Sequence, residues 1–178
     1  GCGKTTLLRI LAGLEKPDAG QVKGTDDIRI SFMFQEDRLL EYLDAAGNIR
    51  FTSPKISRRE VEDALVLLGI ARAEMAKPVS EFSGGMKRRV AFLRAILYES
   101  DLLLLDEPNT YIDKESEFEL FQYLSKESDV KAIMLVSHDI GTISQYVKSF
   151  ACVNKGLYHH ESNAITEELL SQYRCPIQ

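Results

Sequence analysis

The sequence has little with which to build a membrane span, a disulfide framework or a non-specific grip on nucleic acid. No apolar run in its 178 residues approaches the roughly 20 needed to cross a bilayer. The stretch from Leu7 to Leu14 is too short and wrongly flanked for a secretory leader. Three cysteines, Cys2, Cys152 and Cys175, are an odd number without Cys-x-x-Cys spacing. They fit reduced cytosolic thiols better than disulfides or a zinc site. A net charge of -5 argues against strong non-specific nucleic-acid binding. There is no internal repeat or low-complexity tract. What remains is a hydrophobic share of 44% and a charged share of 28%, the composition of a soluble globular protein large enough for one compact core.

Against that plain background two stretches stand out. Phe82-Ser83-Gly84-Gly85-Met86-Lys87-Arg88-Arg89 places a Ser-Gly-Gly turn before a basic helix. Leu102-Leu103-Leu104-Leu105-Asp106-Glu107-Pro108 is an apolar strand ending in two acids. Small glycines let a backbone approach a phosphate, and the helix that follows aims its positive end at it. The acids arrive at the C-terminal end of a strand, where open parallel sheets bind ligands.

At the start of the chain, Gly3-Lys4-Thr5-Thr6 is the second half of G-x-x-x-x-G-K-[ST]. In that loop backbone N–H groups wrap phosphates, the Lys reaches the outer ones and the Ser/Thr hydroxyl holds Mg²⁺. The loop's opening glycine and the strand feeding it would precede Gly1, so the chain is expected to be a piece of a longer protein. Leu7, Leu8, Ile10 and Leu11 give the following helix its apolar face, and Ala12-Gly13 is its expected stop.

Further along, Pro17-Asp18-Ala19-Gly20 reads as a turn and Ile28 to Phe34 as a short strand. The pattern from about Leu39 to Leu97 is helical. Val61, Ala64, Leu65 and Leu68 share one face, and Ser57 with Glu60 forms a capping-box start. Asp101 to Asp106 reads as a strand buried on both faces. Glu115 to Lys126 reads as a helix, Ala132 to Val136 as another buried strand, Ile140 to Tyr146 as a helix, Ser149 to Val153 as the next strand and Ala164 to Tyr173 as a terminal helix. Alternating strands and helices predict an α/β parallel sheet with right-handed crossovers, interrupted by a helical insertion.

The chemistry expected of these residues is phosphoryl transfer to water. Asp106 can hold Mg²⁺ directly or through water, and Glu107 can polarise the attacking water. His138 can hydrogen-bond a γ-phosphate, and Gln35 can orient the water or touch the metal. Lys4 and the loop amides would stabilise charge on the transferring group. Ser137-His138-Asp139 is not a hydrolase triad, because adjacent residues cannot converge in the required geometry.

The order of these elements resembles the nucleotide-binding subunit of an ATP-binding cassette (ABC) transporter: phosphate loop Gly1, Cys2, Gly3, Lys4, Thr5 and Thr6; glutamine loop Gln35; signature Ser83, Gly84 and Gly85; Walker B strand Leu102 to Glu107; D-loop Asn109 to Asp113; switch His138. The resemblance implies a P-loop NTPase with a RecA-like core at 1–38 and 98–178 and a helical signature subdomain at 39–97, the N-terminal β-subdomain missing. It implies ATP and Mg²⁺, with Thr5, Gln35 and Asp106 at the metal. It also implies a homodimer or cassette pair, with ATP held between one phosphate loop and the partner's signature and D-loop, here Ser83 to Gly85 and Asp113. Integral membrane permease subunits and an extracytoplasmic substrate-binding protein complete the expected assembly, at the cytoplasmic face of the membrane. No nucleic-acid partner is expected. Phe82 and Met86 stand where Leu and Gln are commonest in the family, and the D-loop is an unusual version. A 178-residue piece with half a phosphate loop is expected to bind ATP weakly.

For the transported substrate the resemblance divides. Phe34 to Leu40 and Ser83 to Lys87 resemble importers of the nitrate, sulfonate or taurine type. Asn109 to Asp113, Ser137 to Thr142 and Cys152 to His160 resemble zinc/manganese importers, the ending Tyr173 to Ile177 supports that likeness, and the metal reading is preferred because it runs on to the C-terminus. His159 and His160, adjacent on a strand, would point to opposite faces and do not themselves argue for a metal. A soluble ABC ATPase acting on ribosomes or nucleic acid is the alternative of another class. Its DNA-repair form is disfavoured, since the interval from Gln35 to Ser83 is too short for an inserted coiled coil.

Overall fold

The computed structural model describes residues 3–110, 114–138, 143–154 and 156–161. The chain divides into two compact units, Asp26–Leu135 and the pair of segments Gly1–Thr25 and Val136–Gln178.

The first unit is built on strands β1 (Ile30–Met33), β2 (Leu102–Asp106) and β3 (Ala132–Val136), in that order across the sheet. β1 and β2 are parallel, from Ile30 opposite Leu102 to Met33 opposite Leu105. The leucine run explains the central position of β2: Leu103, Leu104 and Leu105 are wholly buried, as a strand covered on both faces requires. β3 is the expected strand; among the described residues it stands last in the strand order, and Met134 is 42% exposed.

Between β1 and β2 the chain forms helices α2 (Ala45–Thr52), α3 (Arg58–Leu67) and α4 (Gly84–Leu97), with short 3₁₀ turns at Arg72–Glu74 and Val79–Glu81. Each helix start is capped. Asp44 accepts from the Gly47 N–H, Ser57 and Glu60 form the expected reciprocal box, and Ser83 accepts from the Met86 N–H. Such caps satisfy amides that have no carbonyl within the helix. Val61, Ala64, Leu65 and Leu68 form the buried stripe expected of α3. α4 packs against α2, α3 and β1, so most of its circumference is apolar: Val90, Ala91, Phe92, Leu93, Ala95 and Ile96 are buried. The Ser31 hydroxyl donates to the Ala95 carbonyl at 2.7 Å, tying β1 to α4. At the far end of α4 the Lys131 ammonium donates to the Ile96 carbonyl at 2.8 Å, a cation where the helix dipole favours one. α5 (Lys114–Glu127) leads to β3.

In the second unit, α1 (Lys4–Leu11) starts from Gly3 and stops at Ala12, with Gly13 left-handed at φ 70, as expected from Ala12-Gly13. Strands β4 (Phe150–Val153) and β5 (Leu157–His160) form an antiparallel hairpin. Ser149 to Val153 was expected to extend the parallel sheet; instead a tight turn, with the Asn154 N–H donating to the Gly156 carbonyl at 2.9 Å, folds it against its successor. His160 stacks on Phe150 at 4.8 Å while His159 is exposed. The expected helix at 164–173, and the start of that at 140–146, lie outside the described residues.

Candidate active site

Because β1 and β2 are parallel and in register, their C-terminal ends lie side by side. One delivers Phe34 and Gln35, the other Asp106 and Glu107. Asp106 is 1% exposed, and its Oδ1 has no hydrogen-bond partner among the described residues. A buried carboxylate oxygen in that state is costly unless a cation or its water shell completes it. A hard oxygen donor aimed from a strand end fits Mg²⁺. Next to it, Glu107 is held at φ 51, the left-handed region an L-residue other than Gly, Asn or Asp seldom enters. Strained residues of this kind gather where function needs a fixed pose.

The side chain that joins these ends is Arg88, which the sequence reading did not single out. It is 1% exposed. Its Nη1 donates to the Phe34 carbonyl at 2.8 Å, the Gln35 carbonyl at 3.0 Å and the Asp37 carboxylate at 3.2 Å. Its Nη2 donates to the Asp106 carbonyl at 2.9 Å and the Glu107 carbonyl at 2.6 Å. A signal for it existed: Arg88 is in helical phase with the buried Phe92 and Ala95, so the period places a cation inside the core face. Arg94, on the same helix, donates to the Arg38 carbonyl at 2.7 Å and the Asp37 carbonyl at 2.8 Å. Burial shifts the Arg94 guanidinium below the ordinary arginine value, with the Asp37 charge opposing.

Gln35, Asp106 and Glu107 are therefore brought together, and by the helix that begins with the Ser83 turn. Ser83 and Gly84 are exposed. A Cβ added at Gly84 would meet nothing within 4 Å, and its φ is not positive. Neither packing nor backbone conformation demands glycine there. Gly85 follows as the second residue of α4. Glu117 of α5 accepts from Asn109 Nδ2 at 2.6 Å, anchoring the segment after the acids.

Gly3, Lys4, Thr5, Thr6 and His138 belong to the other unit. Gly3 is left-handed at φ 93, which glycine alone adopts freely. Helical hydrogen bonding begins with the Leu7 N–H to the Gly3 carbonyl at 2.9 Å. The first turn, Lys4 to Thr6, thus forms the positive end of α1. His138 follows β3 and is exposed. Gly1, Cys2 and Asp113 lie outside the described residues.

A parallel sheet that brings a cation-seeking carboxylate to its C-terminal edge, in a chain that also launches a helix from a left-handed glycine followed by Lys-Thr, is that of an α/β P-loop NTPase. The sequence pattern of the family described as ABC transporter matches residues 1–110, and the chain belongs to that family. It is 42% identical over 149 residues to the aliphatic sulfonates import ATP-binding protein SsuB 1 of Rhodococcus jostii, covering 79% of this chain and 59% of that one. It is 34% identical over 199 aligned positions to the sulfate/thiosulfate import ATP-binding protein CysA of Gloeobacter violaceus, covering 97% and 58%. The chain thus spans about three-fifths of the length of these relatives. Among solved structures it resembles a dimeric bacterial ABC transporter cassette, with TM-score 0.74 and 25% identity over 87% of this chain and 78% of that one.

Proposed function

We propose that the chain is the ATP-hydrolysing, energy-coupling cassette of an importer for a sulfonate-type oxyanion. The observation that carries hydrolysis is the strand-end pair: a buried Asp106 with an unsatisfied Oδ1, followed at once by a strained Glu107. In this reading Glu107 is the general base that takes a proton from the attacking water. Gln35 orients that water, and His138 hydrogen-bonds the γ-phosphate. Gly1 to Thr6 cradle the phosphates, with Lys4 placed for the outer ones. Asp106, Thr5 and Gln35 would hold Mg²⁺, which supplies charge neutralisation at the phosphate oxygens when bound. Ser83, Gly84, Gly85 and Asp113 serve the ATP of a partner cassette. The open space at Gly84 suits a phosphate approaching from outside. The division into a core at 1–38 and 98–178 and a signature subdomain at 39–97 belongs to the same reading.

The relatives named above are sulfonate and sulfate importers' ATP-binding proteins. They favour the sulfonate-type alternative over the zinc/manganese reading first preferred, which we give up. Permease subunits and a substrate-binding protein are the proposed partners, at the cytoplasmic face of the membrane. Tyr42 and Phe51, 77% and 71% exposed, offer aromatic surface beside the glutamine loop's outgoing arm for such docking.

Glu107→Gln in the whole protein tests the ATPase reading. ATP binding should persist, turnover should fall by a factor on the order of 10² or more, and an ATP-trapped dimer should appear on gel filtration; surviving hydrolysis would remove Glu107 from its role. Loss of the gene should abolish growth on an aliphatic sulfonate as sulfur source. A defect confined to zinc or manganese scarcity would sink the substrate proposal.

A further inference from the structure

Arg88 spans two strand ends with one side chain. Four of its five acceptors are main-chain carbonyls, two after β1 and two at the end of β2, and the fifth is the Asp37 carboxylate. Only a planar fork with several fixed donors can do this; an ammonium is a point charge. The backbone it grips is under strain. Among the described residues, Arg38 and Glu107 are the non-glycine positions with positive φ. Each has its carbonyl held by an arginine of α4: Arg94 holds Arg38 and Arg88 holds Glu107. A left-handed Glu persists only where its surroundings impose the pose, and the 2.6 Å bond from Arg88 is one such constraint. α4 begins at the Ser83 cap, five residues and about 7.5 Å of helix rise before Arg88.

We infer that Arg88 is a positioning residue for hydrolysis. By gripping the Gln35, Asp106 and Glu107 carbonyls from the helix that the Ser83–Gly85 turn begins, it sets the pose of Glu107 and makes that pose follow α4. A phosphate engaging the turn then acts on the base through the guanidinium, without touching it. The inference rests on the ATPase reading above.

The test uses the whole protein with Arg88→Lys and Arg88→Gln. The dissociation constant for ATP and the KM should stay within about twofold, while kcat falls at least tenfold. Arg88→Lys should fail to rescue, because charge without the fork cannot reach both strand ends. Unchanged kcat in Arg88→Lys would overturn the inference, and so would a kcat loss matched by equal losses in ATP affinity and in thermal midpoint. If neither variant folds, ¹⁵N-arginine NMR of the unsubstituted protein decides. Its Arg88 Nη resonances should shift when a slowly hydrolysed ATP analogue closes the dimer, and no shift would refute the coupling. Failure of the unsubstituted protein to hydrolyse ATP would instead sink the ATPase reading itself. An active parent with an equally active Arg88→Lys sinks only the positioning role.

Discussion

Asn48 supplies Leu40 with the hydrogen bonds a strand neighbour would give: the Leu40 N–H donates to Asn48 Oδ1 at 2.7 Å, and Asn48 Nδ2 returns to the Leu40 carbonyl at 3.1 Å. The same Nδ2 also reaches the Leu43 and Asp44 carbonyls at 3.3 and 3.1 Å. Asn48 is 1% exposed, so α2 carries a buried amide whose work is to hold the chain leaving the glutamine loop. Asn48→Ala would leave the Leu40 N–H without its acceptor in a partly buried setting, while the Leu40, Leu43 and Asp44 carbonyls keep the backbone N–H groups of Leu43, Val79 and residue 48. The expected loss is about 1–3 kcal/mol. Urea unfolding should show it as a lower midpoint at unchanged slope. A loss under ~0.5 kcal/mol would show that water replaces the amide without cost.

The α3 capping box carries a pH signature. The Glu60 carboxyl lies below its ordinary 4.5, chiefly because the Ser57 side chain and then the Ser57 backbone hydrogen-bond its charged form. A carboxyl whose folded value is depressed contributes stability above its unfolded value. That contribution disappears as pH falls through the folded one. The thermal-midpoint gap between the parent protein and Ser57→Ala should therefore be constant from about pH 5 to 8 and narrow below about pH 4. A gap that stays constant down to about pH 3 would show that Glu60 plays no part in the cap.

Elements specified by local chemistry were legible in the sequence. The Ser57/Glu60 box, the Ala12-Gly13 stop and the Asp101 to Asp106 strand depend on neighbours in the chain, and each appears within a residue or two of where the pattern puts it. What depends on distant partners was not. Ser149 to Val153 reads equally as a parallel strand or half a hairpin, because strand propensity says nothing about partner or direction. Of the site, Asp106 and Glu107 were legible because a leucine run announces the strand that ends in them. Arg88 was not, since its acceptors are main-chain carbonyls that any residue provides. Its helical phase marks it as buried but not what it binds.

Asp106 gives a prediction with opposite signs in the two states of the site. Without nucleotide its buried Oδ1 has no partner among the described residues, and Asp106→Asn would replace a costly buried charge with a neutral amide of nearly the same shape. The thermal midpoint of the nucleotide-free protein should therefore stay level or rise. With Mg²⁺ present the order reverses, because the amide offers the cation no charge. Affinity for ATP in excess Mg²⁺ should drop by on the order of tenfold, about 1.4 kcal/mol. Affinity in EDTA should hardly move. Calorimetric titrations with and without EDTA, beside melting curves of the free protein, test both halves. Equal losses with and without Mg²⁺ would place the carboxylate away from the metal. A lower midpoint in the nucleotide-free variant would mean that the Asp106 charge is satisfied within the fold.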